Sequence, residues 1–111
     1  MFSLPLPDGY DPGSTIIVDG FPSSFSVNDC KNFLSWFGPI IYIDKLTHPD
    51  GAFCYVVVFA SPVHAEQMLK LKTIAIDSGN TKITVQTPQE MESIWNTVGD
   101  MFNNAGSVSL M

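Results

Sequence analysis

The side chains able to do chemistry are few, and their spacing is poor for it. His48 and His64 lie far apart, with no cysteine or second histidine at ligand spacing, so no metal site is expected. The scattered serines and aspartates form no nucleophile elbow or triad around His64, which should sit in the solvated first turn of a helix. No glycine-rich loop offers a phosphate cradle. Cys30 and Cys54 fall in apolar segments and read as reduced thiols. Catalysis, a cofactor and a small-molecule substrate are therefore not expected.

Charge narrows the partners further. The net charge is −6, and the five basic residues are Lys31, Lys45, Lys70, Lys72 and Lys82, with no arginine. Phosphate recognition draws on clustered cations, arginine above all for its planar fork, so the surface is a poor footprint for nucleic acid. Apolar residues make up 45% of the chain and charged residues 14%, which supports one packed core and argues against disorder. A chain of 111 residues has room for a single domain. No apolar run reaches membrane length, so no membrane partner is expected. Met1–Asp8 lacks the basic start of a signal peptide. A soluble intracellular protein, nuclear or cytoplasmic, is the expectation.

The elements follow from pattern and punctuation. Residues 1–13, rich in proline and glycine, read as an extended lead-in. Thr15–Val18 is a β-branched run closed by Asp19-Gly20. Ser26 and Asp29 stand at capping-box spacing before Val27, Cys30, Phe33, Leu34 and Phe37, which recur at helical intervals until Gly38-Pro39. Ile40–Ile43 is a second strand, Thr47–Gly51 a turn, and Phe53–Phe59 the strongest strand of the chain. Ser61-Pro62 opens a helix with Ala65, Met68 and Leu69 inward. Asp77–Asn80 is a turn, and Lys82–Gln86 alternates as a final strand. The order β-α-β-β-α-β predicts an α+β, ferredoxin-like domain: a four-stranded antiparallel sheet with two helices on one face.

Over about residues 14–87 the chain resembles the RNA-recognition-motif family. Ile16–Phe21 looks like the family's first-strand hexamer, and Ala52–Phe59 aligns with its third-strand octamer. The Phe37-Gly38 helix exit and Phe59–Pro62 leading into Ala65 are further landmarks. The resemblance implies bases stacked on aromatics at the second hexamer position and at the third and fifth octamer positions. Here those positions hold Ile17, Cys54 and Val56, and Ala52 stands where the octamer opens with a basic residue. None of the family's RNA contacts carries over.

Strand parity sends Ile16, Val18, Phe53, Tyr55, Val57 and Phe59 toward the helices. Ile17, Cys54, Val56 and Val58 go to the open face, with either Ile41 or Ile43. Stacking on an aromatic contributes about 1–3 kcal/mol per base, which aliphatic side chains cannot match. An exposed aliphatic patch marks a protein contact instead.

Thr87-Pro88-Gln89-Glu90 is a strong helix start. Met91, Ile94, Trp95, Val98, Met101 and Phe102 then form one apolar stripe over a helix at 88–104, followed by a flexible tail at 105–111. This helix is expected either to fold across its own sheet or to pack in a homodimer, with Trp95 as an anchor. Members of the family with degraded stacking motifs act as protein-interaction modules, and Gly20-Phe21-Pro22 resembles the nucleoporin-type members that dimerise through their sheets. The tryptophan-ligand-binding splicing subgroup fits less well, since its Arg-x-Phe loop has no counterpart between Leu71 and Thr84. Acylphosphatase relatives need an arginine and copper-chaperone relatives a paired-cysteine loop, and both are missing. The expected role is thus a protein-interaction module of a ribonucleoprotein or RNA-processing factor. The competing reading is weak single-stranded RNA binding through Tyr42, Lys45, the loop around His48, and Lys82.

Overall fold

The structure is a computed structural model that describes residues 6–48, 51–76 and 81–97. Its elements are β1 (Thr15–Asp19), α1 (Val27–Leu34), β2 (Ile40–Thr47), β3 (Phe53–Phe59), α2 (Pro62–Leu71), β4 (Thr73–Ile76) and β5 (Thr81–Gln86). A third helix, α3, occupies 88–97. A short 3₁₀ turn, Pro12–Ser14, leads into β1. The class is the expected α+β, ferredoxin-like arrangement, with an additional C-terminal helix.

Local signals explain where the helices begin. Ser26 Oγ accepts from the Asp29 backbone N–H at 3.1 Å, and the Asp29 carboxylate accepts from the Ser26 N–H at 2.9 Å. Two donors at the start of α1 are thereby satisfied. Ser61 caps α2, with Pro62 at its first position.

Among the described residues the sheet has five strands, ordered β2-β3-β1-β5-β4 and antiparallel throughout. The count corrects the expected four. Thr73–Ile76 was hidden because α2 passes into it through a single residue, Lys72, with no glycine or proline between. Lys72 takes φ +61°, a conformation that usually calls for glycine, so the chain reverses without announcing it. The period-two alternation was present: Ile74 and Ile76 both join the helix-side core.

That core holds Ile16, Val18, Phe21, Tyr55, Val57, Phe59, Ile83 and Val85 from the sheet side, with Cys30 and Leu34 of α1 and Ala65 and Met68 of α2. Phe21 meets the Tyr55 ring edge-on at 5.7 Å, so the Gly20-Phe21-Pro22 exit anchors the core. His64, expected in solvent, is half-buried instead: its ring lies 6.1 Å from that of Phe59, and it packs on Gly38.

The candidate interaction face of the sheet

Register decides what the face away from α1 and α2 presents. Ile17 stands opposite Val56, and Leu46 opposite Cys54. These four are buried in a second cluster, separate from the main core. Val58 is buried also, opposite Thr15.

Strand β2 departs from the expected parity. The pairing shifts between Ile40 and Tyr42, so Ile40 faces Phe59, Tyr42 faces Val58 and Ile43 faces Val57. A bulge consumes one residue and exchanges the two faces beyond it. Ile43 consequently packs on the helix-side core. Ile41, at the bulge, belongs to neither cluster and is largely exposed. Neither is an open-face core residue; that position on β2 belongs to Leu46. The strand runs beyond the expected Ile40–Ile43 to Thr47, and Asp44-Lys45 interrupts the apolar run before Leu46.

The cover is α3. Its start is a complete capping box: the Thr87 N–H donates to Glu90 Oε1 at 3.0 Å, and the Glu90 N–H to Thr87 Oγ1 at 3.1 Å. The hydrogen bonds from Thr87 hold the Glu90 carboxyl below its ordinary pKa. From this start the helix lays Met91 and Trp95 on Ile17, Leu46, Cys54 and Val56, and Leu6 of the lead-in packs against the same cluster. The His48 ring meets Trp95 at 4.9 Å between centroids, tilted 66°. Ile94 turns outward, 43% exposed. Val98, Met101, Phe102 and the tail lie outside the described residues.

Burial is deep enough to govern the thiol beneath. Cys54 is pushed up to about 12 by desolvation, with the Asp19 charge adding to the shift. Burial also raises the Asp19 carboxyl, against a lowering hydrogen bond from Gly20. Among the described residues no group of three or more His, Cys, Asp or Glu is placed to hold a metal ion, and no helix is long and apolar enough to cross a membrane.

No protein-family model matches the sequence, and comparison with curated proteins finds no match either. Solved structures do match. The third RNA-recognition-motif domain of Mip6 superposes at TM-score 0.58 with 18% identity, covering 70% of this chain and 95% of that one. RNA recognition domains 1 and 2 of Sex-lethal from Drosophila melanogaster give 0.53 with 20% identity, covering 67% and 48%. The PID-3 TOFU-6 RRM domain complex gives 0.56 with 14% identity, covering 70% and 96%. The chain has the RNA-recognition-motif fold. Ile17, Cys54 and Val56 all lie beneath α3.

The residues considered for RNA contact do not converge on this RNA-recognition-motif sheet. Tyr42 is on the open side of β2, its hydroxyl 3.5 Å from an Asp44 carboxylate oxygen. Lys45, opposite Tyr55, is on the other side with its ammonium 4.3 Å above the Phe53 ring. His48 is against Trp95. Lys82 is exposed on β5, across β3 and β1 from Tyr42 and about six residues along the strands from it by register, which at about 4.8 Å per strand and about 3.3 Å per residue is on the order of 25 Å away.

Proposed function

We propose that this chain is a non-catalytic module whose partners are proteins, a second copy of itself among them, and that its sheet does not serve as a platform for RNA. The observation that carries the reading is the seating of Met91 and Trp95 over Ile17, Cys54 and Val56. A base approaching those positions would have to displace a buried helix and would then find aliphatic side chains in place of rings. The net charge of −6 and the lack of arginine add a long-range penalty to any polyanion. The PID-3 TOFU-6 complex supplies a precedent for domains of this fold that join one another. On this reading the protein works inside the cell, in the nucleus or the cytoplasm, within a ribonucleoprotein or RNA-processing assembly.

Fluorescence titration with mixed single-stranded RNA at low salt tests the reading. The expected outcome is little or no binding. Micromolar or tighter affinity would overturn it in favour of RNA recognition, a reading to which the exposure of Tyr42 and Lys82 on the open side gives some footing.

A further inference from the structure

With α3 closing the sheet, the most exposed large apolar side chains stand elsewhere. Trp36 is 88% exposed, Ile41 68%, Leu71 53% and Val63 52%. Leu71 stands apart at the C-terminal end of α2, while the fold draws the other three to one end. Trp36 lies in the turn after α1, just before Gly38, which approaches His64 so closely that a Cβ there would enter the ring. Val63 precedes His64 in the first turn of α2. Ile41 sits at the β2 bulge, beside the point where the Ala60 N–H donates to the Pro39 carbonyl at 2.9 Å. A tryptophan held in water by a folded chain, with aliphatic neighbours, is the composition of an interface centre.

The rim of this end is acidic. Glu66 follows Val63 by one turn on the outer side of α2, and Asp11 caps the 3₁₀ turn that packs against the same helix. Of the lysines, Lys31 is in the last turn of α1 and Lys70 one turn beyond Glu66 on α2, while Lys45 is over Phe53, Lys72 ends α2 and Lys82 is on β5, so the acidic bias at this end is that of a chain whose net charge is −6. A second copy would bring one acidic rim against another, and RNA would meet the same repulsion. Charge complementarity selects a different occupant. Resting on the protein-partner reading above, we propose that Trp36, Ile41 and Val63 form a docking site for a segment of another protein that carries apolar anchors flanked by lysine or arginine. Trp36 and its neighbours supply the contact area. Glu66 and Asp11 supply orientation and partner choice.

The test is selection of random displayed short peptides on the intact chain, followed by anisotropy titration of the selected peptide as a labelled probe. Supporting results are peptides that combine apolar with basic residues, bind about tenfold or more weakly to Trp36→Ala, and weaken with Glu66→Lys and with added salt. Ile94→Ala, on α3, should leave affinity unchanged. Since Trp36 is solvent-exposed, Trp36→Ala leaves the core intact, and peptide binding should shift Trp36 emission to the blue. Failure to select any peptide would overturn the proposal, as would selected peptides without basic residues. Peptides indifferent to Trp36→Ala would remove this site while leaving the protein-partner reading standing. A dimer dissolved by Trp36→Ala would show the occupant to be a second copy. Tight RNA binding with no peptide binding would remove both.

Discussion

Two residues illustrate how closely the packing is set. At Gly38 a methyl group would enter the His64 ring. Gly38→Ala should therefore cost about 1–3 kcal/mol in urea unfolding, the usual range for overpacking, and His64→Ala in the same chain should recover much of the loss. Cys54 gives a pH prediction. Its thiol ordinarily titrates at 9.0 and is raised to about 12 in the fold. Above pH 9 the unfolded chain loses this proton while the folded chain keeps it, so stability falls as pH rises from 9 toward 12. Tyr55, raised from 10.0 to about 12 chiefly by desolvation, adds to the fall in the upper part of that window. Urea midpoints measured on either side of pH 9 should show the decline, and Cys54→Ala should flatten its lower part.

Among the elements, α3 is the one whose removal is most informative. Met91 and Trp95 are buried against the sheet, and each buried side chain of this size contributes about 1.5–3 kcal/mol. Trp95→Ala should cost about 3 kcal/mol in urea unfolding. It should also speed amide exchange in β3, because the cover over Cys54 and Val56 is loosened. Thr87→Ala removes one half of the capping box and should cost about 1 kcal/mol by the same measurement. An unchanged midpoint for Trp95→Ala would mean that the helix does not stay on the sheet in solution. The helix was readable from its capping box and apolar stripe because both are local. Its destination is not local: a stripe records that a face is buried and not by what, so its own sheet and a partner are equally compatible with it. Strand β4 is the opposite case: four residues entered through one left-handed lysine, with no punctuation to mark them.

At the scale of the molecule, the sheet has an apolar cluster on each face, one covered by α1 and α2 and the other by α3 and the lead-in. Truncation after Thr87 would uncover Ile17, Leu46, Cys54 and Val56 together. The shortened chain should then self-associate, with a mass by light scattering that rises with concentration. A truncated chain that stays monomeric and equally stable would remove the idea that the helix shields the face.

The sequence alone determined the order of the elements other than β4, the capping of each helix, the inward side of β3 and the lack of aromatic side chains at Ile17, Cys54 and Val56. All of these depend on neighbouring residues and on the fixed two-residue period of a strand. Tertiary structure decided the rest. The β2 bulge moved Ile43 to the helix side and made Leu46 the buried contact, because register is a property of a strand pair. The fifth strand exists because β5 is there to pair with it. Trp36 was left in solvent and Trp95 buried because two equally apolar side chains differ only in which surfaces the fold brings to them.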